Sequence, residues 1–206
     1  MPKLVDLPKI RKDAADELAA TRERYEDAQK ANLDYLLLRW IAALSVVEIH
    51  ATWERFAELR LIAALSHNPQ SFLDEHEIRG IDKIPLGLSR RLVRGTGKYF
   101  DFRSVGDLKG TAGKLVAESV NPFKSITSVE AGYLDTLSAI RNFIAHKSDS
   151  SLLTYKKFLG TTYGIKAKPA PDEFLNARDL RNNSPAKGQT RLHGLLAILG
   201  NVIARI

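Results

Sequence analysis

The chain has 206 residues, 27% of them charged, and carries a formal net charge of +7. A chain of this length and composition predicts one globular domain, which we place at residues 1–206. The lack of cysteine excludes disulfide scaffolds and thiolate metal sites or nucleophiles, and fits a reducing, cytoplasmic location. The positive charge favours polyanionic partners, chiefly through contacts to phosphate groups.

The amino-terminal sequence predicts neither export nor membrane insertion. Residues 1–9 contain two prolines and predict an extended arm without the apolar core of a signal peptide. The longest apolar stretch, residues 36–47, contains Arg39 and Ser45 and is too short to span a bilayer. We therefore expect no membrane partner.

Two helices are predicted in the first third of the chain. Residues 10–31 are charged and rich in alanine, with Leu18 and Tyr25 as apolar anchors, and predict a solvent-facing helix. Residues 32–67 predict the strongest helix, which is either continuous with the first or separated from it by a kink near Asn32. Its first half is apolar on almost every side, as expected of a central buried helix.

Polar residues of this second helix are the first candidates for a site. Glu48 falls on the same face as Leu44 and Ala51, where a carboxylate must be paired, protonated or directed into a cleft. His50 and His67 show no metal-ligand spacing and are expected on or near the helix surface.

The segment from residue 69 to residue 126 is irregular, basic and rich in glycine, with short helices predicted at residues 72–78, 86–93 and 107–119. Its aromatic residues can stack on bases: Tyr99, Phe100 and Phe102. Its cations can meet phosphates, and we take four of them as candidate RNA-binding residues: Arg90, Arg91, Arg94 and Lys98. The alternative is a basic loop whose aromatic side chains insert into the core.

A capped amphipathic helix at residues 127–149 carries the most distinctive cluster of polar residues. It opens with the S/T-x-x-E pattern of a capping box. Its apolar residues recur at steps of four, three and four and so form one stripe: Tyr133, Leu137, Ile140 and Ile144. At about 100° per residue, Asn142 and His146 lie opposite that stripe, and Arg141 lies between the two faces. A cation, an amide and a histidine therefore gather at the end of this helix.

The rest of the chain predicts a short helix at residues 152–159, a long polar loop, mobile in part, at about residues 160–190, and a final helix at residues 191–206. The loop contains three prolines and several cations. The final helix has a leucine-rich face that predicts packing against the core.

The sequence RNFIAH at residues 141–146 resembles the signature of the HEPN superfamily, in which an arginine and a polar residue are followed, after a short spacer, by a histidine. Members are small α-helical domains, and many are metal-independent RNases. The resemblance implies an all-α, HEPN-like helical bundle, here with irregular basic insertions. It carries the family's catalytic arginine, polar residue and histidine onto Arg141, Asn142 and His146.

The second helix supports the resemblance. Residues 52–59 look like the second-helix pattern of RiboL-PSP-type HEPN domains, in which an acidic residue precedes a hydrophobic or aromatic position. On that pattern Glu54 is the acid of helix two, whereas the helical periodicity favours Glu48, so both stay candidates. HEPN toxins paired with a minimal nucleotidyltransferase have a tyrosine two residues after the histidine, and Ser148 at that position argues against membership of that group.

Together, these features predict a metal-independent endoribonuclease with no cofactor. His146 can act as a base or an acid near neutral pH, and Arg141 can hold phosphate oxygens bidentately. Asn142 can bond the phosphate or orient the histidine, and Lys147 is a further candidate RNA contact. One arginine and one histidine do not easily supply both acid and base. Because HEPN RNases commonly dimerise, the resemblance implies a homodimer with a composite site, which would leave 2′,3′-cyclic phosphate and 5′-OH ends.

Two other functions are compatible with the sequence. One is a non-catalytic HEPN module that binds RNA or a nucleotide. The other is a helical partner subunit of a defence or toxin–antitoxin complex, with an antitoxin or another defence protein as its partner. For the nuclease itself we expect a role in defence or stress response.

Overall fold

The structure, a computed structural model, describes residues 6–97, 99–167 and 169–206. Within these ranges it contains nine α-helices, one short 3-10 turn and no β-strand, so the fold is all-α, as predicted. The helices are α1 (Leu7–Lys30), α2 (Tyr35–His67), α3 (Gln70–Glu75), α4 (Leu86–Arg94), α5 (Val105–Leu115), α6 (Ser128–His146), α7 (Asp149–Tyr163), α8 (Pro171–Asn176) and α9 (Arg191–Arg205).

The first helix begins earlier than predicted. The Asp6 side chain caps α1 by accepting a hydrogen bond from a backbone N–H of the first turn, at 3.1 Å. Pro8 lies in that turn, where a missing N–H costs no helical hydrogen bond. The predicted arm at residues 1–9 is therefore helical from Leu7 onward, and residues 1–5 lie outside the described ranges.

Helices α1 and α2 form an antiparallel hairpin. They are separate helices, because Asn32 between them has a φ of 49°, in the left-handed region that asparagine tolerates better than most residues. On the α1 side the apolar anchors Leu18 and Tyr25 are buried, as predicted. At the solvent edge of the hairpin, Arg24 of α1 contacts Glu48 of α2 at 2.5 Å.

The hydrophobic core is built around the second half of α2. Trp53 is fully buried, with its ring edge-on to Phe102 and Phe123 at centroid distances of 6.0 and 6.3 Å. Phe100 is buried beside Phe102, so neither is available to stack on a base, and that RNA-stacking prediction is wrong for both. The other large buried residues of α2 are Ile49, Phe56, Leu61, Ile62 and Leu65.

The first half of α2 lies at the surface, which contradicts the prediction of a central buried helix. Helices α1 and α8 pack against α2, and buried residues such as Ala42 and Val46 alternate with exposed ones. The opposite side of the helix is open and carries six large exposed residues, here called the α2 apolar surface: Tyr35, Leu36, Leu37, Trp40, Leu44 and Val47. Contiguous exposed apolar surface of this kind is uncommon on monomeric proteins.

Within the described ranges, α2 is the one helix whose length and composition would allow it to cross a membrane. Its most apolar 18-residue window has a mean hydropathy of 1.3, and 39% of that window is buried inside the fold. The apolar stretch is therefore longer than the predicted residues 36–47. Core helices of water-soluble proteins can have the same length and mean hydropathy.

The three short helices predicted in the basic segment are present as α3, α4 and α5. Helix α5 begins two residues before the predicted position because the Ser104 hydroxyl caps it, accepting a hydrogen bond from the Asp107 N–H at 3.1 Å. It ends at Leu115, ahead of the 3-10 turn Glu118–Val120.

The predicted loop at about residues 160–190 contains more regular structure than expected. Helix α7 continues to Tyr163, and α8 inserts Phe174 and Leu175 fully into the core. Pro171 is the first residue of α8, a position that proline favours, so this proline starts a helix and does not mark a loop. Further along, an isolated bridge between Arg178 and Thr190 leads into α9.

Candidate active site

The helix that carries the Arg-Asn…His motif is fixed at both ends. At its start, Thr127 and Glu130 form the predicted capping box, with hydrogen bonds of 2.8 and 3.2 Å between their backbone N–H groups and side chains. Arg205 of α9 donates to both Glu130 oxygens, at 2.8 and 2.6 Å, and holds the pKa of that carboxyl below its usual value. At its end, α6 stops at His146, because Lys147 adopts a left-handed φ of 48°.

The three motif residues line one open cleft with a volume of about 1110 Å³. Arg141 and Asn142 are half-buried in its wall, and exposed His146 lies on the last turn of α6. The Arg141 guanidinium donates a hydrogen bond of 3.0 Å to the Asn142 side-chain oxygen. In this structure Asn142 therefore orients the arginine, whereas the sequence suggested the phosphate or the histidine as its partner.

Three separate stretches of chain build the cleft. One wall is the α2 face around residues 51–58, the second is the connection around residues 97–103, and the third is α6 with the start of α7. Tyr99 stands at this cleft with 81% of its surface exposed, so its ring is free to meet a ligand. Hydroxyl groups from the first turns of α7 complete the third wall: Ser148, Ser150, Ser151 and Thr154.

The structure separates the two candidate carboxylates of α2. Glu54 is half-buried in the cleft wall, whereas Glu48 is exposed and contacts Arg24 of α1, outside the cleft. Burial raises the pKa of Glu54, but the neighbouring His50 ring and the charge of Arg141 outweigh it, so the pKa lies below its usual value. Glu54 is therefore ionised at neutral pH, and it is the acid that faces the motif helix.

His50 is buried in the cleft wall, which contradicts its predicted surface position. Its Nε2 lies 3.1 Å from the Ser138 hydroxyl on α6, and its Nδ1 lies 3.3 Å from a Glu54 carboxylate oxygen. Sequence reasoning assigned no role to His50 or Ser138. The available signal was spacing, since His50 and Glu54 are four residues apart on one helix and Ser138 precedes Arg141 by three.

The predicted RNA-binding cations do not gather at the cleft as a group. Arg90 and Arg91 are exposed on α4 and do not line it, and Arg94 contacts the cleft residue Glu58 at 2.5 Å. Lys147 is exposed directly after His146, and Lys98 lies outside the described ranges. Two exposed cations do line the cleft: Arg103, a cation of the predicted basic segment, and Arg55, which sequence reasoning overlooked and which pairs with Glu17 of α1.

In the part of the chain that the structure describes, no three histidine, aspartate or glutamate side chains come together as a metal site would require. Comparisons with family models, curated proteins and solved structures found no significant match to the chain.

Proposed function

We propose that the chain is a metal-independent endoribonuclease of the HEPN type. The observation that carries the proposal is that Arg141, His146 and Glu54 line one open cleft although they come from two different helices. These are the residues that the motif of α6 and the second-helix pattern of α2 single out. The cleft thus brings together the side chains that the resemblance implies as catalytic.

The cleft residues have the chemistry for transesterification of RNA. The 2′-oxygen attacks phosphorus and forms the O2′–P bond while the P–O5′ bond breaks, so one proton must leave O2′ and another must reach O5′. His146 is exposed and can accept or donate a proton near neutral pH. Arg141, held by Asn142, can hold two phosphoryl oxygens while negative charge builds up on them. The products are a 2′,3′-cyclic phosphate and a 5′-OH.

In this scheme Glu54 attracts the Arg141 guanidinium and takes no part in proton transfer. A carboxyl whose pKa is held below its usual value is a poor proton acceptor, so it does not suit the role of general base. Its negative charge lies close enough to Arg141 for the two to attract each other. Asn142 therefore holds the guanidinium by a hydrogen bond, and the charge of Glu54 attracts it.

Single-stranded RNA is the substrate that fits the cleft best. A volume of about 1110 Å³ exceeds what small-molecule sites usually need, and the cleft is open to solvent. Exposed Tyr99 can stack on an unpaired base, and Arg55 and Arg103 can meet flanking phosphates.

We propose a homodimer, in which a second copy supplies the missing acid or base. The α2 apolar surface supports this arrangement, because it leads along α2 from Trp40, Leu44 and Val47 to the cleft residues Ala51 and Arg55 at helical steps of three and four. A second copy packed on that surface would lie beside the cleft. Its own His146 could then complete a composite site.

The test is cleavage of mixed cellular RNA in EDTA by the wild type, by His146→Ala and by His67→Ala. His67 is an exposed histidine at the end of α2 and does not line the cleft, so it serves as the matched control. We expect the wild type and His67→Ala to leave cyclic phosphate ends, and His146→Ala to lose at least about a hundredfold in rate. No cleavage by the wild type, or equal cleavage by His146→Ala, would overturn the proposal.

The α2 apolar surface also favours a second candidate function, a helical partner subunit of a defence or toxin–antitoxin complex. In that case the surface is covered by a different protein and not by a second copy. A purified chain that stays monomeric, cleaves no RNA and forms a stoichiometric complex with one defence partner would favour it. Binding of RNA without cleavage would instead favour a non-catalytic HEPN module.

A further inference from the structure

We infer that His50 is a positioning residue of the cleft, whose Nδ1–H holds the Glu54 carboxylate beside Arg141 while Ser138 holds the opposite ring nitrogen. The effect on RNA cleavage rests on the proposed function. The contact between His50 and Glu54 does not, and it can be tested without any activity.

The first support is burial. The His50 side chain is only 6% exposed, and a buried imidazole needs partners for both ring nitrogens. Ser138 satisfies Nε2 at 3.1 Å. No hydrogen bond of good geometry reaches Nδ1 within the described ranges, and Glu54, at 3.3 Å, is the group at ion-pair distance from it. A small rotation of the Glu54 side chain would complete the bond.

The second support is the proton that the His50 ring must carry on the nitrogen facing Glu54. An ionised carboxylate only accepts hydrogen bonds, so the atom that faces Glu54 must carry a proton. At the other nitrogen, the Ser138 hydroxyl either donates to Nε2 or accepts from it while donating to the Leu134 carbonyl at 3.2 Å. The ring is neutral in the first arrangement and protonated in the second. A third arrangement, a neutral ring protonated only at Nε2, would set the Nδ1 lone pair against the Glu54 carboxylate, so the proton is assigned to Nδ1.

The third support is the order of the four side chains along two packed helices. His50 and Glu54 are one turn apart on α2, and Ser138 and Arg141 are one turn apart on α6, which packs against α2. The polar groups therefore run from Ser138 through His50 and Glu54 to Arg141. Losing the His50 contact would let the Glu54 carboxylate move and so weaken its attraction for the Arg141 guanidinium.

A serine, a histidine and a glutamate in this order resemble a nucleophilic triad, but Ser138 does not suit the role of nucleophile. It is buried in the interior of a long helix, whereas nucleophilic serines stand exposed on sharp turns. Ser138 and His50 therefore act by holding the Glu54 carboxylate in place.

The experiment compares His50→Asn with His50→Gln. The amide nitrogen of asparagine takes a place close to Nδ1 and can still donate to Glu54, whereas that of glutamine takes a place close to Nε2 and reaches Ser138. Both variants disturb the same buried position, and circular dichroism checks that both fold. We expect His50→Gln to cleave RNA roughly tenfold to a hundredfold more slowly than His50→Asn. Equal losses would mean that His50 only fills space.

The pH profile gives a second readout. Among the described residues, the other ionisable acidic and basic side chains that line the cleft around Glu54 are Arg55, Glu58, Asp101, Arg103, Arg141 and His146, and all of them remain in both variants. Glu54 must be ionised to hold Arg141, and His50 lowers its pKa. In His50→Gln the acid limb of the cleavage profile should therefore move to higher pH than in His50→Asn. Identical acid limbs would count against the inference.

A measurement independent of activity separates this inference from the proposed function. In protein labelled with ¹⁵N-histidine, we expect the His50 signals, assigned by their absence from His50→Asn, to show a protonated Nδ1 at neutral pH and to shift in Glu54→Gln. An unprotonated Nδ1, or signals unchanged by Glu54→Gln, would overturn the inference. Those results hold whether or not the wild type cleaves RNA.

Discussion

Glu54 follows Glu48 by six positions on α2, which turns their side chains about 120° apart around the helix axis. One therefore contacts Arg24 at the solvent edge and the other faces Arg141 in the cleft. We expect Glu54→Gln to slow RNA cleavage by roughly tenfold to a hundredfold, because the neutral amide no longer attracts the guanidinium. Glu48→Gln, the matched control, should stay within about twofold, since it alters an exposed ion pair and a hydrogen bond from Thr21, both outside the cleft. Similar rates for the two variants would refute this assignment.

Asp179 makes the stability of the protein depend on pH. Its side chain is 2% exposed and accepts hydrogen bonds from Arg181 at 2.5 and 2.8 Å. Burial raises the pKa of Asp179, but the bonds from Arg181 and Ser184 outweigh it and lower the pKa to about 2 from 3.8. Because the folded pKa lies below the unfolded one, the stabilisation is complete above the unfolded value and disappears as the pH falls through 2.

We therefore expect Asp179→Asn to lower the free energy of unfolding by about 2 kcal/mol at neutral pH and by much less near pH 2. Urea unfolding at both pH values measures the difference. Asp27→Asn is the control, because Asp27 is exposed and pairs with its helix neighbour Lys30. An equal loss at the two pH values would show that the pair does not titrate as described.

At the scale of single residues, the sequence predicted the motif residues but not the side-chain contacts around them. Arg141, Asn142 and His146 were found from a local pattern within one helix, and that helix formed with the predicted cap. His50 and Ser138 meet across two helices that are far apart in sequence, so their contact depends on packing and has no local signature. The choice between Glu48 and Glu54 likewise depended on which side of α2 is covered.

At the scale of elements, the capping box at the start of α6 supports the whole motif helix. Thr127→Ala removes the side-chain acceptor for the Glu130 N–H and should lower the free energy of unfolding by about 1 kcal/mol in urea unfolding. Thr161→Ala, at an exposed position of α7, is the control and should cost much less. No loss in Thr127→Ala would mean that Arg205 and Glu130 hold the helix end without the cap.

Helix positions were more predictable than helix burial. Caps, prolines and apolar periods lie within an element, so α1, α2, α6 and α9 appeared close to their predicted bounds. The first half of α2 is apolar all round, and this pattern does not reveal which side other helices will cover. The prolines near residue 170 predicted a loop because a proline that starts a helix and one that prevents it look alike in sequence.

At the scale of the whole molecule, the α2 apolar surface should decide the oligomeric state. Trp40 is 69% exposed at the middle of this surface, and Trp40→Glu would place a charge in a self-association interface. We expect the wild type to elute as a dimer in light-scattering chromatography and Trp40→Glu as a monomer with reduced RNA cleavage. Leu180→Glu is the control, because Leu180 is 72% exposed outside this surface. A monomeric wild type, or dimers of all three, would contradict the proposed interface.

Because three separate stretches of chain build the cleft, it forms only after distant parts of the chain have packed together. Helices form early from contacts between near neighbours, but α2 and α6 meet across roughly eighty residues of chain, and such distant contacts form late because closing long loops costs entropy. A newly made chain can therefore have most of its helices before it has a cleft. The cleft can therefore form only after the chain has been made as far as Thr154, the last described residue that lines it.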